Sequence, residues 1–429
     1  MQYTGFDRFI ARLLTAFPRL KRFIKLIYQR INYYIYKKGY YYKVNRKIVL
    51  VSCKDQESFF GYYDKSPVNT SNQYIIFHSS ELSTWKKPDS QRPVNIVLKN
   101  LKNGNSQIID KSFSYNWQQG SRLQWLDAER FIFNDYDADR DLYISKIVNA
   151  GTDALEKSID FPVYDCWQDY ALTLNFDRLA LLRPDYGYRN RIDKGLVSHE
   201  NLNVLDTDGL FYVDLRKNTC SQLVSFADII QRHPDSRMSV DLSESIPGAK
   251  HKFNHIMIAP NGKKAVFLHR YFRQRRKYDR LILVDIHSRE TVLLSDQEMV
   301  SHYCWMDNSK IIAFMRDYTL GDRYFSIDIH TGKKEIFGKG LLDNYGDGHP
   351  SIFGEKMIFD TYPNKGRYKE LLIYFMNQNK VERIGEFFES FRFYGETRCD
   401  LHPRWSNDGK FVFIDSVHTG RRGLYQIEL

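Results

Sequence analysis

What most constrains this chain is a unit that it repeats. The stretches "NHIMIAPNGKKAVFLHR" (254–270), "SHYCWMDNSKIIAFMR" (301–316), "GHPSIFGEKMIFDTYP" (348–363) and "LHPRWSNDGKFVFIDS" (401–416) share one plan. Each sets a short extended start, then a polar turn, then a strand of large apolar residues ending in a polar one. Three looser copies precede them: "GYYDKSPVNTSNQYIIFHS" (61–79), "GSRLQWLDAERFIFND" (120–135) and "QDYALTLNFDRLALLRPD" (168–185). Most neighbouring copies start about fifty residues apart, with a longer gap between the third and fourth. A third strand with a turn follows several copies, as in "RLILVDIHSRE" and "RYFSIDIHTGKK", and then a fourth, as in "TVLLSD". Seven copies of a four-stranded unit predict an all-β, seven-bladed β-propeller. The last copy has only three strands. "KIVLVSC" (47–53) has no local partner and is predicted to supply the missing strand, which would close the ring over residues 47–429 and leave no open sheet edge.

Charge separates a tail from this body. Residues 1–47 carry twelve Lys or Arg and a single acid, Asp7, so they hold the whole net charge of +11. The remaining residues balance. A neutral body argues against nucleic acid as a partner, because a phosphate footprint needs a basic folded surface. Five Cys far apart, with no CxxC pair, argue against a disulfide framework or a structural zinc site and favour a reducing compartment.

The tail, residues 1–46, reads as a basic amphipathic helical segment. Apolar residues recur at helical spacing through Phe9, Leu13, Phe17, Leu20, Phe23, Ile24, Ile27, Ile31 and Tyr34, with a break at Pro18. Its polar face is nearly all Lys and Arg, which suits an anionic membrane surface. The alternative is a helix packed on the body or on a protein partner. No apolar run is long enough to span a bilayer, and a signal peptide's continuous apolar centre is missing. The expected location is therefore cytoplasmic and peripheral to the membrane.

The repeat "HPRWSNDGKFVFIDS…GLYQIEL" resembles the Trp-Ser-x-Asp-Gly-Lys repeats of Tol-type propellers. The His-bearing units, with "APNGKKAVFLHR" and "GDGHPS", resemble the oligogalacturonate-lyase group. That resemblance covers about residues 47–429. It implies a lyase site where the central channel opens, with His side chains and a bound divalent metal. The chain departs from the group's pattern in its Gln and paired-His ligands and in lacking a secretion signal.

Aligning the copies on their turns puts His255, His302 and His402 six residues before Asn261, Asn308 and Asp408, and His349 at the same place with a turn one residue shorter. Four successive blades thus start their innermost strands with His. Tyr62, Arg122 and Asp169 or Tyr170 take that position in the looser copies. Second strands return to the same face, ending at His78, Asp135, Arg183, His269 with Arg270, Arg316, Asp360 and Asp415. Positions like these also brace neighbouring blades in propellers, and Asp360 and Asp415 suit that role. Together they nevertheless predict a ligand site on this face.

His, Tyr and Arg together suit an anionic sugar. Arg pairs with carboxylate or phosphate, aromatic rings stack on sugars, and His moves protons near neutral pH. His255, His302, His349 and His402 are the candidate bases, and Tyr62 and Tyr362 the candidate acids. Arg122, Arg183, His269, Arg270, Arg316 and Arg404 are the candidate substrate contacts. Clustered His with Asp347 or Asp400 holding a divalent ion is the other arrangement the residues allow. The expected function is a carbohydrate-active enzyme, lyase-like or sugar-transferring. It would act on an anionic or lipid-linked glycan in bacterial surface polysaccharide biosynthesis. A non-catalytic glycan-binding or scaffold propeller is the alternative.

Overall fold

The computed structural model describes residues 18–52, 55–235, 237–238, 248–273 and 276–429. They form a seven-bladed β-propeller. The innermost strands, in chain order, are Glu57–Phe59, Gln124–Trp125, Asp165–Trp167, Lys250–Ile258, Val300–Trp305, Ser351–Phe353 and Arg404–Trp405. Each pairs antiparallel with the next strand of its own blade.

The second strands are covered on both faces by neighbouring blades. They therefore read as continuous apolar runs rather than as an alternation. Ala265 to Leu268 and Ile311 to Ala313 are all fully buried. Turns fix the spacing between blades. Gly262 and Gly409 adopt φ of +69°, and a Cβ on either would collide with an aromatic ring of the preceding blade, Trp167 or Phe353. Only glycine meets both demands.

The seventh blade takes its outer strand from the start of the chain. Ile48–Leu50 pairs antiparallel with Gly423–Glu428, placing Ile48 opposite Ile427 and Leu50 opposite Tyr425. The sixth blade gains a fifth strand the same way, because Tyr42–Val44 pairs with Lys380–Phe388. Part of the segment that the charge pattern groups with the tail is thus built into the sheet.

A helix runs from Pro18 to Tyr36. The predicted helix before Pro18 lies outside the described residues. Tyr33 packs on Phe388 and Phe391, with ring centroids 5.7 and 5.6 Å away, and fixes one side of the helix to blade 6. Ile24, Ile27, Ile31, Tyr34 and Ile35 face outward and are exposed. No described helix is long and apolar enough to cross a membrane.

The third blade differs from its sequence pattern. Its second strand is only Tyr170–Leu174, and residues expected to continue it form a helix, Phe176–Leu182. Asn175 caps that helix by accepting a hydrogen bond from the Arg178 amide. The loop after it carries Arg183, Asp185 and Tyr186 over the central channel.

Candidate functional site: a histidine cluster in the central channel

The four in-phase histidines meet. Ring centroids lie 4.1 Å apart for His302 and His349, 4.4 Å for His349 and His402, and 5.7 Å for His255 and His302. All four are buried. Backbone irregularities aim them inward. The pairing register slips between Asn254 and Met257 and between Val300 and Tyr303, and His255 and His402 adopt φ of 54° and 45°. Bulges of this kind re-aim a side chain, at about 1–2 kcal/mol for each non-glycine residue held in the left-handed region.

Hydrogen bonds fix three of the rings. His349 Nδ1 donates to Asp360 Oδ1 at 2.8 Å, and His402 Nδ1 donates to the Gly61 carbonyl at 2.7 Å. His302 Nδ1 donates to Asp347 Oδ1 at 3.0 Å, and Ser301 Oγ donates to Asp347 Oδ2 at 2.6 Å. Carboxylates and carbonyls only accept, so each Nδ1 carries a proton, and each Nε2 presents a lone pair when its ring is neutral. His349 Nε2 and His402 Nε2 are buried and make no hydrogen bond. Asp400 joins them: the ligand atoms of His349, Asp400 and His402 all lie within 4.8 Å of one another. Imidazoles held by a carboxylate or carbonyl at Nδ1, beside a carboxylate, form a donor set that fits a divalent ion.

Electrostatics tune the cluster. Burial, with help from neighbouring cations, pushes His255 well below the ordinary imidazole range. His402 is also held well below it, mainly by burial and then by His349. Burial lowers His302 more than the facing Asp347 raises it. For His349 burial is again the largest influence and acts in the same direction, but Asp360, with Asp400 and Asp347, together outweigh it and the ring's pKa rises. Asp400 lies well below the carboxylate range because Arg398 and Lys369 overcome the effect of burial. Arg398 Nε binds Asp400 Oδ2 at 2.7 Å, and Lys369 Nζ lies 3.4 Å from Oδ1.

Tyr62 sits under the cluster. Its hydroxyl shares a hydrogen bond with His255 Nδ1, and its ring lies 4.9 Å from His402. Tyr362 stands at the mouth, 6.0 Å from His349 and 6.4 Å from His302 between centroids. A cavity of about 820 Å³ opens beside them. Tyr362, Arg398 and Asp400 line it, together with Phe391, Phe393 and Leu26 of the N-terminal helix.

The predicted substrate contacts divide. Arg183 lies at the mouth, paired with Asp185 at 2.8 Å and partly exposed. Arg270 is buried and pairs with Asp279 at 2.9 Å. Four others lie elsewhere or are already engaged. His269 is turned between blades 3 and 4, where its Nε2 meets His251 Nδ1 at 2.9 Å, because adjacent strand residues point to opposite faces and Arg270 takes the side of blade 5, donating to the Val300 carbonyl at 3.0 Å. Arg316 lies on the outer rim, closed by Asp322 at 2.7 Å. Arg122 is buried against Asp64 at 2.7 Å and donates to the Tyr164 carbonyl. Arg404 is buried between Gly61 O and Asp415 Oδ2, at 2.8 and 3.0 Å. The last two are buried and brace blades; Arg404 does so through Nη2 alone, and its Nε and Nη1 make no hydrogen bond.

Blade 3 sends Tyr164 into the channel, not Asp169 or Tyr170. The Tyr164 hydroxyl accepts from the His255 amide at 3.0 Å and from Gln119 Nε2 at 2.9 Å. Asp169 pairs with Arg216 beyond the far end of the strand. A signal for this was present. Trp125, Trp305 and Trp405 follow Arg122, His302 and His402 by three residues, and Trp167 follows Tyr164 by three. Arg398, Tyr186 and Lys252 were also missed, because they come from loops and an extended inner strand that the repeat does not describe.

Comparison with solved structures places the fold. An oligogalacturonate lyase in complex with manganese superposes with a TM-score of 0.61 over 92% of this chain and 95% of its own, at 13% identity. Oligogalacturonate lyase from Vibrio parahaemolyticus gives 0.59, over 90% and 96%, at 11% identity. TolB from Acinetobacter baumannii gives 0.39 at 11% identity. At these identities the likeness is one of fold. No family model matches the chain, and no curated protein matches it.

Proposed function

We propose that this protein is a metal-assisted enzyme that cleaves an anionic glycan by β-elimination. The observation that carries the reading is the pair of buried, unpartnered Nε2 atoms of His349 and His402, two rings that cluster with Asp400, which itself lines an open cavity. Burying such atoms without a partner is costly, and a ligand removes the cost. The likeness in fold to a lyase described with manganese supports the same reading.

His349, His402 and Asp400 would hold the ion. It would supply positive charge that neutralises a uronate carboxylate and acidifies the adjacent C–H. His302 is neutral at physiological pH and its Nε2 faces the cluster, so it takes the C5 proton. The C5–H electrons form the C4–C5 double bond as the C4–O bond breaks. Tyr362, a phenol and so protonated at neutral pH, donates to the departing oxygen. Solvent then returns its proton. Arg183 and Arg398 at the mouth orient the acidic chain.

The exposed apolar stripe of the N-terminal helix and the basic charge around it support residence on an anionic bilayer, with the cavity mouth beside it. A lipid-linked glycan from cytoplasmic surface-polysaccharide assembly in a bacterium is the substrate that setting favours. The test is twofold. Ultraviolet absorbance of unsaturated product, followed with Mn²⁺ and oligouronides, should appear for the wild type and vanish with chelator. Deleting residues 1–36 should release the protein from phosphatidylglycerol vesicles. No product with any uronide, despite tight Mn²⁺ binding, would overturn elimination; unchanged vesicle binding would overturn the membrane role.

A further inference from the structure

Lys252 lies on the inner strand of blade 4, three residues before His255 and on the mouth side of it. It is 1% exposed. Among the described residues its ammonium makes no hydrogen bond and no ion pair; the Phe272 ring lies 5.5 Å from Nζ. The neighbours are cations. Arg270 stands directly opposite Lys252 in the pairing register, and Asp279 stands opposite Arg270, so the three side chains share one face of the sheet. Asp279 is already engaged by Arg270 and Lys277, both at 2.9 Å. From the blade 3 loop come Arg183 and Asp185, and Asp185 is held by Arg183 and Arg398. Every nearby carboxylate is thus shared between two cations, and Lys252 is left over.

An apolar side chain of similar length would fill this position without burying an amine. A buried polar group with no partner needs an explanation, and a ligand supplies one. We propose that Lys252, with Arg270 and Arg183, forms a subsite for a second acidic group of the substrate, a carboxylate or phosphate oxyanion, beside the His349–Asp400–His402 cluster. The proposal rests on the anionic-glycan reading above and narrows it to a substrate with at least two negative groups. Free of ligand, the amine is held well below the ordinary lysine range by burial, then by Arg270 and Arg183, against a smaller opposing pull from Asp185. Arrival of an oxyanion reverses that balance, so binding takes up a proton at Nζ.

Titration calorimetry on the full chain without metal, with inorganic phosphate and separately with galacturonate, in two buffers of different ionisation enthalpy, tests this. The wild type should bind at least one probe with proton uptake, and the probe that binds names the source of the oxyanion. Lys252→Met should weaken that binding at least tenfold and remove the proton uptake. Lys252→Arg should keep the binding and lose the uptake. Mn²⁺ binding should be the same in all three. Equal anion binding by the wild type and Lys252→Met, or no binding of either probe by the wild type, would overturn the subsite. Loss of Mn²⁺ binding in His402→Ala with anion binding intact would leave the subsite standing apart from the cleavage reading.

Discussion

Blades 4 to 7 and blades 1 to 3 put polar residues at the same position of the same repeat, yet the two halves of the ring differ. On one side His302, His349 and His402 are each held at Nδ1 and leave Nε2 free. On the other, Arg122 is closed on Asp64 and on the Tyr164 carbonyl, and Lys65 is closed on Asp165. A polar ring residue is therefore open to a ligand only where one of its polar atoms is left without a partner. Imidazole leaves such an atom after one hydrogen bond, whereas a guanidinium in a buried fork can be fully consumed.

The largest effect should come from the open half. His349→Ala or His402→Ala removes one of the converging donors, and turnover should fall more than a hundredfold, with Mn²⁺ affinity falling alongside. Circular dichroism should still report a folded propeller, because the Asp360 carboxylate keeps the amides of residues 349 and 402 as donors after either truncation. Wild-type turnover in either variant would mean that the free Nε2 atoms are incidental.

The closed half should respond in stability. Arg122→Ala leaves Asp64 buried without its cation, which costs about 3–5 kcal/mol. Urea unfolding should show that loss, and Mn²⁺ affinity should stay within about twofold. A variant that kept its stability but lost metal would erase the distinction between the halves.

Much of this contrast was legible in the sequence. Repeats with fixed turns and apolar strands encode blades, because turn glycines and doubly covered strands leave local signatures. The four histidines were visible because they share a distance to a turn. Which polar residues are free was not visible, since that depends on partners far along the chain: Asp64 for Arg122, Gly61 for His402 and Arg404, and Asp400 for Arg398. Arg316 and His269 show the remaining limit. A strand's last polar residue can lie on the rim or on the blade's other face, and one residue of parity decides between them.

Tyr164 joins the two halves, so it measures how far they are coupled. Its hydroxyl accepts from the His255 amide, and the Arg122 guanidinium lies over its ring at 4.2 Å. Tyr164→Phe leaves the His255 amide and Gln119 without an acceptor, at about 1–3 kcal/mol. If the halves are independent, stability should fall by that amount and Mn²⁺ affinity should hold. A joint fall would show that the His255 bulge depends on this hydroxyl.

The smallest effect concerns a histidine of the closed half, and there pH is the probe. His78 is buried, and its Nε2 accepts from Ser121 Oγ at 2.8 Å and from the Ser121 amide at 3.1 Å, so the ring must be neutral in the folded protein. Burial holds its pKa down to about 4, against about 6.5 for an unfolded histidine. The unfolded chain therefore binds the proton first as pH falls. His78's contribution is complete above pH 6.5 and is lost progressively down to about pH 4, at about 1.4 kcal/mol per pH unit. His349 has the opposite sign. The Asp360 carboxylate raises its pKa, so its contribution is present below the unfolded value and is lost as pH rises through the folded one. Unfolding of wild type and His78→Asn at pH 7, 6 and 5 should give a shallower acid slope for the variant by about one proton. An unchanged slope would mean that His78 takes up its proton within the fold, and that the closed half is less closed than its hydrogen bonds imply.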